Sequence, residues 1–140
     1  MAGREGSRSR RSRRQEEGGQ TLAEFALALV PFLLVLLGAL HFALAVHARQ
    51  VVQTAAVEGA RMAAAEPANI ARGEARARSV LQDGLGRWGQ SYTVQGTDQG
   101  ETVRMRVQGH YILALPLLGA RDLSLSAEAV VRKEGFRPGP

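Results

Sequence analysis

A chain of 140 residues is long enough for one small domain with appendages and too short for two full domains. Its net charge of +5 is lopsided. Residues 1–19 hold six arginines against three glutamates, and the remainder holds twelve basic groups against ten acidic ones, so the basicity belongs largely to a tail. The lack of cysteine excludes disulfides, thiol catalysis and thiolate metal sites.

Residues 1–19 show neither a helical nor a strand period of apolar residues, which predicts a disordered basic leader. The run Arg8-Ser9-Arg10-Arg11-Ser12-Arg13-Arg14 has the composition of a nucleic-acid-binding arm. A basic cluster directly ahead of an apolar run is, however, what the positive-inside rule requires of a cytoplasmic flank, so no nucleic-acid partner is expected. Ser12-Arg13-Arg14-Gln15 opens like a twin-arginine export signal, but Glu16-Glu17 stands where that signal needs apolar residues.

From Ala26 to Val46 the chain is almost unbrokenly apolar. About 20 apolar residues at roughly 1.5 Å rise each cross a bilayer core, so a transmembrane helix is predicted over residues 20–48. Glu24 sits at the edge of this stretch, where an ionised side chain is costly and usually has a task. Pro31 lies inside it and is tolerable in a membrane helix; His41 lies near its far end and is expected neutral. The helical pattern continues over residues 49–66, an extension beyond the membrane. There Ala55, Ala56, Gly59, Ala60, Ala63 and Ala64 form a ridge with almost no bulk. That ridge is either a surface for close helix packing or an accident of alanine-rich composition.

Glu66-Pro67 interrupts the pattern, because the residue before proline avoids helical angles. Residues 67–140 read as a small α+β exported domain. A second helix is predicted over residues 67–85, with Ile70, Ala77, Leu81, Leu85 and Trp88 near one face. Gly84, Gly86 and Gly89 end it. Their G-x-G-x-x-G spacing is not a dinucleotide site, since that motif follows a strand and opens a helix, whereas this one closes a helix.

The period then changes to two. Tyr92-Thr93-Val94-Gln95 is a short strand, and Gly96-Thr97-Asp98-Gln99-Gly100 is a turn. Val103, Met105 and Val107 alternate with Arg104, Arg106 and Gln108 in a second strand running toward Ile112. Leu115-Pro116-Leu117-Leu118-Gly119 reads as an apolar loop. Leu123, Leu125, Ala127, Ala129 and Val131 alternate with polar residues in a third strand. The expected fold is α+β: a long N-terminal transmembrane helix extending outside the membrane, a short second helix and a three-stranded antiparallel sheet. One sheet face needs the helix, or a neighbour, to cover it.

No chemistry is legible. His41, His47 and His110 lack metal-ligand spacing, carboxylates are scattered, and neither a phosphate loop nor a nucleophile elbow occurs. Arg104 and Arg106 could grip an anion, but an exposed strand face explains them more simply. The expectation is anchoring or assembly, not an enzyme, with no cofactor, metal or small-molecule substrate.

The junction carries more. Counting Gln20 as the first residue after Gly19, Glu24 falls at position five and Phe25 follows it. A glycine, four residues and a glutamate at the head of an apolar helix resemble the processing site of type IV prepilins. Glu24-Phe25 with Ala26, Leu27, Pro31 and the long span resembles the TadE-like proteins of the tight-adherence (Flp-type) pilus system. The closing segment from Leu123 to Arg132 resembles the last strand of that family. The resemblance implies a minor pilin, or pseudopilin, cut between Gly19 and Gln20 by a membrane prepilin peptidase. It also implies that Glu24 pairs with a new N-terminal amine, its own or that of an adjacent subunit. Partners would be the peptidase, other pilins, the inner-membrane assembly proteins of an adhesive pilus and the lipid bilayer. The protein would sit in the cytoplasmic (inner) membrane as a single-pass chain, N-terminus in the cytoplasm and C-terminus outside.

Two rival readings stay open. One is a secreted protein whose signal ends near Ala43-Leu44-Ala45, although its apolar core exceeds the roughly 7–15 residues usual for such signals. The other is a single-span subunit of another envelope or secretion complex, without processing.

Overall fold

Regular structure begins earlier than the apolar pattern does. The computed structural model describes the backbone of residues 5–65, 67–115 and 119–135, and the side chains of residues 19–65, 67–113 and 119–135. The first helix, α1, runs over Glu5–Ala64 and contains Pro31. Most of the leader expected to be disordered is therefore helical; residues 1–4 lie outside the described residues. The physical reason is cooperativity. Nucleation is the costly step of helix formation, and the apolar segment supplies it. Arginine, glutamate and glutamine, all good helix formers, then extend the helix backward.

The chain divides into two compact units, Met1–Leu40 and His41–Pro140. In the first, the apolar side chains Leu22, Phe25, Leu27 and Val35 of α1 are 65–77% exposed. By length and composition its described part, Gly19–Ala64, could cross a membrane. Its most apolar window has a mean hydropathy of 2.5, and none of that window is buried.

The second unit holds the end of α1, a second helix α2 (Ile70–Leu85), a 3-10 turn (Gly86–Ser91) and three strands, β1 (Thr93–Asp98), β2 (Thr102–Leu115) and β3 (Gly119–Arg132). α2 starts three residues later than its predicted first residue, Pro67, because Asn69 caps it. The Asn69 side chain accepts the N–H of Arg72 at 3.1 Å. It ends where expected. Gly86 has φ +57°, a left-handed value that residues with a side chain rarely adopt, and its N–H returns to the carbonyl of Gln82. Trp88 falls past that stop, in the 3-10 turn, and is 56% exposed instead of facing the core.

The strands form an antiparallel meander in the order β1-β2-β3. β1 outlasts its predicted end at Gln95. Gly96, read as part of a turn, pairs with Met105 in the ladder, and its N–H donates to Glu74 Oε1 at 2.9 Å. The turn itself is tighter, with the N–H of Gly100 donating to Asp98 Oδ1 at 2.9 Å. β2 and β3 pair along their whole lengths, from Thr102↔Arg132 to Leu115↔Gly119. The ends of the predicted apolar loop are thus strand residues, and its middle, residues 116–118, lies outside the described residues.

The inner sheet face carries Val103, Met105 and Val107, each fully buried. They pack in one cluster with Leu81 and Ala77 of α2 and with Val52, Ala55, Ala56, Ala60 and Ala63 of α1. The small-residue ridge is therefore a packing surface and not an accident of composition. At its centre α1 and α2 come very close. A Cβ on Gly59 would meet the Gly73 carbonyl and the Ala77 Cβ at 2.9 Å, and one on Gly73 would meet the Gly59 carbonyl at 2.5 Å.

Candidate functional site

The residues singled out by the sequence share two turns of α1. Gly19 is helical and open: a Cβ there would meet nothing within 4 Å. Gln20 and Glu24 stand one turn apart, and the structure joins them, with Gln20 Nε2 donating to Glu24 Oε1 at 3.2 Å. Four residues of helix rise about 6 Å, so a group at position 20 reaches a carboxylate at position 24 without bending the backbone. Phe25 lies one residue on, about 100° around the axis, and is 65% exposed.

Backbone propensity singles out the same place. Each glycine inside a helix costs about 1 kcal/mol relative to alanine, so consecutive Gly18 and Gly19 make the junction a weak point of α1. Beyond them the helix is dominated by leucine, alanine, valine and phenylalanine. Chemically, this is a flexible, unhindered peptide bond followed one turn later by a single carboxylate at the head of an apolar rod.

In the second unit, the charged groups serve the fold. Arg104 Nη1 and Arg106 Nη2 both reach Glu128, at 3.1 and 2.7 Å, across the β2–β3 ladder. The Arg106 hydrogen bond, followed by the charges of both arginines, holds the Glu128 carboxyl below the usual carboxylate range. The two arginines are thus committed to a strand neighbour. Asp98 is likewise held low, first by the hydrogen bond from Lys133 Nζ at 2.6 Å and then by the N–H of Gly100. Burial pushes the Tyr92 phenol up, and its hydroxyl has no hydrogen-bond partner among the described residues. Glycine patterning hinted at the α1–α2 crossing, but its partner Gly73 was not recognisable, because nothing local in the sequence marks which glycine faces the ridge.

A comparison with known families bears on the same stretch of chain. Residues 19–61 match the family of TadE-like proteins. The matched stretch opens at Gly19, the glycine ahead of the Gln20–Glu24 pair, and closes three residues before the end of α1. It takes in the TadE-like junction, the apolar run and most of the small-residue ridge, and leaves out residues 1–18 and the sheet. Such a segment is consistent with a protein associated with the tight-adherence pilus system and with the membrane. No curated protein and no solved structure matches the chain.

Proposed function

We propose that the chain is a minor pilin, or pseudopilin, that is cut after Gly19 by a prepilin peptidase and acts in assembling or initiating an adhesive Flp-type pilus. The observation that carries this reading is a coincidence of position. The TadE-like segment begins at the one glycine that lies five residues ahead of a lone carboxylate at the head of an apolar helix. Glycine presents no side chain at the scissile bond, which suits a peptidase that must approach the backbone closely. After cleavage the new amine belongs to Gln20, one turn from Glu24. The Gln20–Glu24 hydrogen bond of 3.2 Å supports the reach that such an ion pair needs. A carboxylate in lipid is stabilised by a cation beside it, and the amine of the same or a neighbouring subunit supplies one. The arginines of the leader hold that end in the cytoplasm, and residues 67–140 are carried to the other side. The chain works as a subunit and scaffold, not as a catalyst.

Mass spectrometry of the mature N-terminus tests the cut. The expected chain begins at Gln20 when the peptidase is present and retains the leader when it is deleted. An intact leader in both strains would refute processing. Glu24→Ala is expected to insert in the membrane normally and to impair pilus assembly; normal piliation would remove the role assigned to that carboxylate.

A further inference from the structure

The two edges of the sheet are not alike. β1 forms one edge of the meander and β3 the other. Hydrogen bonds just past the paired strands tell which backbone groups face outward. Lys133, one residue beyond β3, donates its N–H to the carbonyl of Glu101 at 2.8 Å. Antiparallel ladders alternate, so odd-numbered residues of β3 turn their N–H and C=O toward β2, and even-numbered ones turn theirs away from the sheet. By the same count, from the Gln99 N–H on the Thr102 carbonyl at 2.9 Å, Val94, Gly96 and Asp98 face outward from β1. That edge is short and already guarded, since the Gly96 N–H donates to Glu74 of α2. The β3 edge is long and open. Asp122, Ser124, Ser126, Glu128 and Val130 turn their backbone groups outward, and among the described residues none of those groups has a hydrogen-bond partner. Neither proline, lysine nor a bulge interrupts β3, which pairs with β2 residue for residue.

A groove of about 400 Å³ lies against this edge. It is lined by β3 over residues 123–126 and by Phe42, Ala45, Val46 and Arg49 of α1, all within the second unit. Neighbouring residues of a strand belong to opposite faces, so a groove that touches four in a row opens at the strand's edge and not beneath the sheet. Leu123, Leu125 and the α1 side chains make its lining largely apolar. Arg49 is the exception: it is exposed, with no ion-pair partner among the described residues. Residues 22–40 of α1 rise about 28 Å, close to the ~30 Å of a hydrocarbon core, which suffices for a span before the groove begins.

We infer that the β3 edge takes up an extended strand of a partner polypeptide, with alternate apolar side chains in the groove and one carboxylate on Arg49. Main-chain hydrogen bonds to residues 122–130 give the affinity, and the groove selects the side chains that recur at every second position. Arg49 sets the charge of the partner. A second copy does not meet that requirement, because its own strand carboxylates are engaged: Asp98 by Lys133, Glu128 by Arg104 and Arg106, and Asp122 by His110. The inference concerns the second unit alone and does not depend on cleavage after Gly19.

The probe is a short, labelled synthetic peptide of alternating valine and threonine with glutamate in place of one valine, titrated by fluorescence anisotropy against the full chain in detergent micelles. Ser126→Pro removes one outward N–H and leaves the β2 ladder whole, an orientation in which edge strands accept proline. It is expected to weaken binding about tenfold with an unchanged circular dichroism spectrum. Arg49→Glu is expected to lose this peptide and to bind the one with lysine in place of glutamate, a swap that misfolding cannot imitate. Methylating one alternate set of peptide nitrogens should abolish binding and methylating the other should not, since only one set faces β3. Failure of the peptide to bind overturns the inference, as does binding indifferent to Ser126→Pro, Arg49→Glu and methylation of either set. Sedimentation showing a dimer that Ser126→Pro dissociates means that a second copy occupies the edge, and it overturns the inference too.

Discussion

The two ends of α1 obey opposite rules of size. Toward its beginning the apolar residues are large and exposed, with Leu22, Leu27 and Val35 at 70–77%. Toward its end they are small and buried, with Ala48, Ala55, Ala60 and Ala63 at 0%. One helix thus meets two apolar surroundings. A bilayer is fluid and adapts to bulk, so large side chains gain area there without a shape to match. A folded partner is rigid and close-packed, and bulk between two helix backbones holds them apart. Side-chain size, more than hydropathy, divides the part of α1 suited to lipid from the part that meets protein.

The largest effect should come from adding bulk at the crossing. Gly73→Leu would drive its Cβ into Ala63 and the Gly59 carbonyl, and overpacking of this kind costs about 1–3 kcal/mol. A lower melting temperature of the second unit, read by circular dichroism in detergent, checks it. A leucine would ordinarily improve a mid-helix glycine by just under 1 kcal/mol, so an unchanged or higher melting temperature would break the size rule. Leu33→Ala supplies the contrast. Leu33 is 48% exposed, and its truncation should leave that melting temperature within the effect of about 0.5 kcal/mol typical of surface changes.

Removing the cap of α2 should cost less than the bulk at Gly73. Asn69→Ala loses the acceptor for the Arg72 N–H and should destabilise by about 1 kcal/mol, seen as a lower denaturant midpoint at unchanged slope. The smallest effect belongs to the sheet surface. Glu128 and Asp98 both have folded-state pKa values below their ordinary ones. Their contribution is therefore present above the ordinary carboxylate pKa and is lost as pH falls through the lower, folded value. Melting temperature should decline on acidification below about pH 4, and Glu128→Gln should flatten part of that decline.

What could be read in advance follows the range of the interactions. The junction is local: a glycine, a carboxylate and their spacing lie within one stretch of chain, and nothing distant alters them. Period-two alternation exposed β2 and β3 for the same reason. Glu66-Pro67 marked the break between helices, but Asn69, a cap two residues farther on, set the true start of α2. Cooperative extension of α1 back to Glu5 was hidden because the leader's own residues carry no apolar pattern. The pairing of Arg104 and Arg106 with Glu128 was hidden too, since it depends on a register that brings together residues over twenty positions apart.

The strand order also governs how the fold is reached. Each strand pairs with its predecessor, so both hairpins close over short stretches of chain. The bond between Glu134 and Ala64 instead joins groups seventy positions apart. Loop-closure entropy rises with that separation. On contact order alone, the meander is expected to form first and to dock on the alanine ridge of α1 last. A helix already held in one place presents that ridge as a fixed template, which turns the slowest search in the fold into a search over a surface.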